Sequence, residues 1–249
     1  MEHRRLHDAL VIEIFAGTGG ITAWIRKAGM NSSFGVDSVK QQHPKAPIII
    51  LDLLTPEGER LLWQYLQNDR VIGVWLAPPC GTCSKAREIQ NGGPPPLRSD
   101  FWPDGFMNLL AGDLDRVSKA NALYSLTADS MIYCFQHGLF FFVENPFTSI
   151  FWKTSAFQRA ASQIPTLFFQ AHAACAYGSK KPKRTLLASN VQEVELICHG
   201  CPGNHVHLKW GQIRIGNRRV FATAEEKHYP AGLCALVSKI VLQICHSHS

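Results

Sequence analysis

Several things are missing from this sequence, and each absence narrows the reading. No apolar run reaches the ~18 uninterrupted residues that would cross a bilayer, so no membrane span is expected. No apolar core follows the opening MEHRRLHDAL, so no secretory signal is read and the chain is expected inside the cell. There is no internal repeat and no convincing linker. No G-x-x-x-x-G-K run occurs, which excludes a Walker-type phosphate loop. Charge is sparse: 18% of the 249 residues are charged against 46% hydrophobic, a balance that suits one large α/β domain. The eight cysteines do not form a disulfide-like framework, since only Cys80/Cys83 and Cys198/Cys201 are closely spaced. In a reducing compartment such pairs point to metal binding or catalysis. The net charge of +6 fits a polyanionic partner without requiring one.

What is present alternates. LVIEIFAG (10–17), SSFGVD (32–37), APIIILDL (46–53), VIGVWLAPPC (71–80) and GLFFFVENP (138–146) read as strands. Between them lie helical stretches at 19–29, 55–67 and 113–137, the second opened by Thr55 as N-cap and Pro56 in the first turn. A last helix covers 229–245, with Leu233, Leu236, Val237, Ile240 and Val241 on its apolar face. Continuously apolar strands separated by helices predict a mostly parallel, doubly wound sheet joined by right-handed crossovers. Three stretches interrupt the rhythm: a Gly/Pro-rich segment at 89–108, expected as a long mobile loop; a basic GSKKPKRT at 178–185; and the ligand-rich CHGCPGNHVHLKWG at 198–211.

IFAGTGG closes the first strand and opens the first helix. Gly17 and Gly19 there permit close backbone approach to a ligand, beside the free N–H groups of a helix start. Asp37 ends the second strand, where a doubly wound nucleotide site places a carboxylate against ribose hydroxyls, and Asp52, at the end of the third strand, is positioned to meet an adenine amino group. Turn glycines and strand-end caps are the competing reading. Acidic residues closing two successive strands favour the nucleoside, and the pattern is too short for a dinucleotide.

At the ends of the fourth and fifth strands stand Cys80 and Glu144, with Arg184 in the basic turn. A thiol, a carboxyl and a cation in one cleft suit nucleophilic addition to an electron-poor ring: the thiol attacks, the carboxyl serves a ring nitrogen, and the cation keeps the thiolate accessible. A cysteine in an apolar run is more often an inert core residue. Pro78-Pro79 before it and Gly81-Thr82 after it argue instead for a sharp turn.

FAGTGG, PPCGTCS, VENP and KKPKRT stand in the order seen in DNA (cytosine-5) methyltransferases, and the chain resembles the compact, divergent members of phages and mobile elements. The resemblance covers about residues 10–190. It implies a Rossmann-like class I methyltransferase fold, with a small Cys/His-rich insertion near the C-terminus, and S-adenosyl-L-methionine as cofactor. It implies Cys80 as nucleophile, ahead of its rival Cys83, Glu144 as the residue meeting N3 of the target cytosine, and Arg184 as the accompanying cation. The cofactor residues it implies are Phe15, Gly17, Asp37 and Asp52 with their neighbours Thr18, Gly19, Gly20, Ser38 and Leu53, together with Pro78. Ser84, Lys85, Arg87, Arg98, Lys180, Lys181 and Lys183 are the expected nucleic-acid contacts, the first four on a loop that closes over the DNA. Double-stranded DNA is the expected partner of a monomer, in whichever compartment holds DNA. The chain departs from the family at Gly81, where glutamine is common, and at Pro146, where valine is. An RNA cytosine methyltransferase, an exocyclic-amino methyltransferase and a catalytically inactive nucleic-acid-binding module are the alternatives on the same fold. Amino-methylating enzymes carry an aromatic residue where Cys80 stands.

Cys198, Cys201, His205 and His207 form C-x2-C-x3-H-x-H, a donor set suited to a tetrahedral structural Zn²⁺; free cysteines in a polar loop are the alternative. The segment falls where larger family members carry target recognition. A small zinc-stabilised element at 190–220, within a single domain spanning 1–249, is therefore expected, with Lys209, Arg214, Arg218 and Arg219 available to phosphate.

Overall fold

The computed structural model describes residues 8–88, 93–208, 212–215, 218–221 and 228–247. Nine strands and five α-helices are described: β1 (Leu10–Ile14), α1 (Gly20–Lys27), β2 (Phe34–Asp37), β3 (Ile48–Ile50), α2 (Pro56–Leu66), β4 (Val71–Leu76), α3 (Ala111–Gln136), β5 (Phe140–Pro146), α4 (Ser155–Gln163), β6 (Phe168–Ala173), β7 (Arg184–Ser189), β8 (Gln212–Ile215), β9 (Arg218–Phe221) and α5 (Ala231–Ser247). No helix among the described residues is long and apolar enough to cross a membrane.

The main sheet has seven strands in the order β3-β2-β1-β4-β5-β7-β6. The first five run parallel, and β7 is antiparallel to both β5 and β6. Strands β8 and β9 form a separate antiparallel pair. This is the strand order of the Rossmann-like class I methyltransferase fold. Where the winding reverses, between β1 and β4, the carboxyl ends of the strands diverge and leave a crevice for ligands.

Residue alternation explains the layers. Along β5, Phe141 and Val143 join a core with Leu62, Leu66, Tyr124 and Met131 from α2 and α3. Phe140 and Phe142 point the other way, into a core with Ile21, Ile25, Leu233, Val237 and Val241 from α1 and α5. Both faces of the strand are covered, so its run of aromatics needs no polar alternation. Glu144 has the parity of Phe142, which turns its carboxyl toward the α1/α5 side.

Thr55 caps α2 as expected, accepting the Gly58 amide at 3.0 Å with Pro56 in the first turn. The third strand is shorter than the predicted 46–53, because Asp52 accepts the Leu54 amide at 3.0 Å and turns the chain toward α2. Strands β6 and β7 were not anticipated. Gln170 and His172 break the apolar run of β6, leaving the weak pattern of a strand at the sheet's edge. The 89–108 segment is also corrected: residues 89–92 lie outside the described residues, but Leu97 and Arg98 beyond them are buried, and the Phe106 amide donates to the Leu97 carbonyl at 3.0 Å. That half of the segment is anchored.

Glu13, on β1, is a charged residue inside the α1/α5 layer, 1% exposed. One carboxylate oxygen accepts both the amide and the hydroxyl of Thr22 at 2.7 Å, tying β1 to the first turn of α1. Burial outweighs these bonds and lifts its carboxyl from 4.5 to about 7. The native state then holds a proton that the unfolded chain has released, so stability falls as pH rises from about 4.5 to 7. Glu13→Gln keeps an acceptor for Thr22 and removes the charge. Denaturant unfolding at pH 5 and pH 8 should show the natural chain losing on the order of 3 kcal/mol relative to the variant. Equal pH dependence in both would refute the assignment.

Candidate active site

The glycine turn has unusual backbone. Phe15, which has a side chain, takes φ 62°, and Gly17 and Gly19 take 53° and 72°. A non-glycine residue held in the left-handed region costs on the order of 1–3 kcal/mol, and such residues collect at ligand sites. Around Gly17 there is open space: an added Cβ would meet nothing within 4 Å. Asp37 holds the turn from the end of β2, accepting the amides of Gly17 at 2.8 Å and Val39 at 3.0 Å. Thr18 is tied on both sides, its carbonyl accepting the Lys45 amide and its hydroxyl lying 3.2 Å from His228 Nδ1. Ser38 and Asp52 are exposed at the same edge. Of the other predicted cofactor residues, Leu53 packs in the core beneath α2, and Gly20 is buried on α1, where an added Cβ would make ordinary contact with Cys234 Sγ of α5 at 3.5 Å.

Beyond β4, three successive carbonyls of the Pro-Pro-Cys turn are each held by a donor. Asn145 Nδ2 of β5 donates to Pro78 at 3.0 Å, Tyr124 of α3 donates its hydroxyl to Pro79 at 2.6 Å, and the Cys83 amide donates to Cys80 at 3.0 Å. Since prolines have no N–H, the turn depends on these carbonyls for its fixed shape. Cys80 is half-buried on this turn, whereas the neighbouring Cys83 is 0% exposed. Burial pushes the Cys80 thiol above its ordinary range; Lys183 pulls it down and Glu144 pushes it up. These two charges are the ones the thiol senses most.

Glu144 is 8% exposed at the end of β5. Its Oε1 lies 3.5 Å from Lys183 Nζ, and its Oε2 accepts the hydroxyl of Tyr229 at 3.2 Å. That hydroxyl accepts in turn from Trp75 Nε1 at 3.1 Å, with the two rings edge to face. Burial and the nearby carboxylate hold the phenol well above its usual range, so Tyr229 remains a donor.

The cation beside the carboxyl is therefore Lys183, where the sequence pointed to Arg184. Arg184 is exposed and lies over the Phe147 ring at 4.2 Å. Adjacent residues of extended backbone point to opposite sides, so only one of the two can face Glu144.

Two expected nucleic-acid contacts are corrected as well. Arg98 is 1% exposed: it donates to Thr82 Oγ1, the Pro103 carbonyl and Asn121, and lies over Tyr124. Its guanidinium is spent beneath the Pro-Pro-Cys turn and cannot reach a phosphate. Lys181 is 2% exposed and equally unsuited to that task. Lys85 pairs with Asp100 at 3.2 Å, and Arg87 donates to the carbonyls of Gly81 and Pro95, so both brace the segment they sit on. Ser84 accepts the Ala86 amide, and Lys180 is exposed. Lys209 lies outside the described residues, and of Arg214, Arg218 and Arg219 only the strand backbone is described.

Tyr124, Asn145 and Tyr229 were missed. Asn145 stands inside the VENP segment, so a signal existed for it. Tyr229 is 85 residues from Glu144 and has none.

No protein-family model matches the chain, and no curated protein matches it. Similar solved structures include a prophage-encoded protein from E. coli described as a DNA modification methyltransferase, at 17% identity and TM-score 0.41 over 73% of this chain and 46% of that one. The Entamoeba histolytica methyltransferase EhMeth matches at 12% identity and TM-score 0.41, over 82% and 58% of the two chains. The S. pombe Dnmt2 methyltransferase matches at 13% identity and TM-score 0.43, over 73% and 50%. The chain spans about half the length of these structures.

Proposed function

We propose that this chain methylates C5 of cytosine in DNA, using S-adenosyl-L-methionine and a transient covalent bond to Cys80. The observation that carries this reading is one constellation at the carboxyl ends of β4 and β5: a half-buried thiol on a braced turn, under the influence of Glu144 and Lys183. A core cysteine would need none of it.

The glycine turn fits the nucleoside part of the cofactor. It has open space beside Gly17, a carboxylate at the end of β2 and a second, exposed one after β3. Bound there, S-adenosylmethionine supplies an electrophilic methyl group. The chain's residues prepare the acceptor. A cytosine leaves the stack at a cost of a few kcal/mol and enters the cleft. The Cys80 sulfur forms a bond to C6, and the electron pair displaced from the ring is accommodated at N3, where Glu144 supplies a hydrogen bond or proton. C5 becomes electron-rich, the nucleophile to which the bound cofactor would give its methyl group, the methyl–sulfur bond breaking to leave S-adenosylhomocysteine. Loss of the C5 proton to a base then returns the electron pair to the ring and expels the Cys80 thiolate. Lys183 favours that thiolate at both ends of the cycle, and Tyr229 holds Glu144 in register.

The test is transfer of a labelled methyl group from S-adenosylmethionine to duplex DNA, single-stranded DNA and RNA, with products read by bisulfite sequencing and nucleoside mass spectrometry. The expected product is 5-methylcytosine in duplex DNA. Label in RNA alone would refute the DNA substrate; N4-methylcytosine would refute the role of Cys80.

A further inference from the structure

We infer that Cys175, Cys201, His205 and His207 form a structural zinc site that fastens the 198–208 segment to the end of β6 and to the turn at 178–183. The donor atoms of these four residues all lie within 4.8 Å of one another. Cys201 Sγ and His207 Nε2 are 3.4 Å apart. With Zn–S of ~2.3 Å and Zn–N of ~2.0–2.1 Å, a tetrahedral ion separates a sulfur from a nitrogen by about 3.5 Å, so this edge already has the length that a shared zinc requires. His205 Nδ1 faces Asn204 Oδ1 at 3.3 Å, a backing contact of the kind that selects a tautomer and leaves Nε2 for a metal.

The thiol set differs from the sequence expectation by one member. Cys198 is exposed and stands outside the cluster, and Cys175, buried on the 3-10 turn Ala174–Tyr177 that follows β6, takes its place. The physical reason is the path of the chain. The Ala173 amide donates to the His199 carbonyl at 3.0 Å, and the Leu208 amide donates to the Lys180 carbonyl at 2.9 Å. These two bonds lay the segment along the connection between β6 and β7, and bring Cys201 over Cys175. Gly203, at φ 72°, turns the backbone so that His205 and His207 return to the same point.

A metal also answers what else could hold this segment. Val206 is 95% exposed and Leu208 49%, so the segment buries no apolar anchor of its own. A stretch with no core must draw its order from a few polar bonds or from an ion, and four soft or borderline donors closing a tetrahedron suit zinc. Four protein donors leave no position for water or substrate, which makes the site structural.

The experiment uses the full chain, purified under reducing conditions and dialysed. Elemental analysis should find about one zinc per chain, and Co²⁺ exchanged into the site should give the intense visible spectrum of tetrahedral thiolate coordination. In competition with a chromophoric chelator, Cys175→Ser and Cys201→Ser should weaken zinc binding at least tenfold, and Cys198→Ser should leave it unchanged. Chelation should also speed tryptic cleavage after Lys180 and Lys183, since Lys181 between them is buried while the turn is fastened. The absence of both bound zinc and a cobalt spectrum in the reduced natural chain would overturn the proposal, whether or not the variants fold. So would a Cys175–Cys201 disulfide in the native protein, or a loss of affinity in Cys198→Ser but not in Cys175→Ser. None of these readouts depends on methyl transfer.

Discussion

Replacing Cys80 with alanine should abolish the covalent adduct with DNA containing 5-fluorocytosine and reduce methyl transfer by at least about 10³-fold. Fluorine at C5 cannot leave as a proton does, so the enzyme that attacks C6 stays attached, and the adduct survives denaturing electrophoresis. The substitution removes one sulfur from a half-buried position on a turn whose carbonyls are held by Asn145, Tyr124 and Cys83. Its cost in stability should stay below about 1 kcal/mol, so a loss of activity would report chemistry. Cys83→Ala is the control. Its sulfur is fully buried, its thiol raised by burial, and its loss should lower stability by about 1 kcal/mol while the adduct still forms. If Cys83→Ala lost the adduct and Cys80→Ala kept it, the assignment would be reversed.

The second large effect belongs to Glu144. Glu144→Gln retains an acceptor for the Tyr229 hydroxyl but has no carboxyl group to serve N3. Methyl transfer should fall by about 10²–10⁴-fold, with the adduct forming correspondingly slowly. Thiol alkylation gives an independent check. The Glu144 charge raises the Cys80 thiol and Lys183 lowers it. In rate-against-pH profiles of Cys80 alkylation, the inflection should therefore move down in Glu144→Gln and up in Lys183→Ala. Arg184→Ala, which removes only the group over Phe147, should move it in neither direction. A profile that shifted with Arg184 and ignored Lys183 would restore the sequence-based choice of cation.

That choice marks a general boundary in what could be read in advance. KKPKRT locates a cation near the site but not which one, because neighbouring residues of extended backbone diverge and only the register of β7 against β5 decides which of them faces Glu144. Arg98 shows the same boundary from another side. A loop arginine reads as a phosphate contact, yet the fold buries it where Thr82, Pro103 and Asn121 take up its donors. Burial depends on what packs above a residue, which local composition does not carry.

What the sequence by itself determined was everything carried by local pattern. The parallel core came from uninterrupted apolar strands, the start of α2 from Thr55-Pro56, the sharp turn after β1 from its glycines, and the thiol and carboxyl from their places at strand ends. These follow from short-range sterics and hydrophobic periodicity, which act within a few residues. Tertiary structure alone decided the partners: Tyr229 on Glu144, Lys183 in place of Arg184, Tyr124 and Asn145 on the carbonyls of Pro79 and Pro78, and Cys175 in place of Cys198. Each of these joins segments distant in the chain, and such contacts are set by strand order and layer packing.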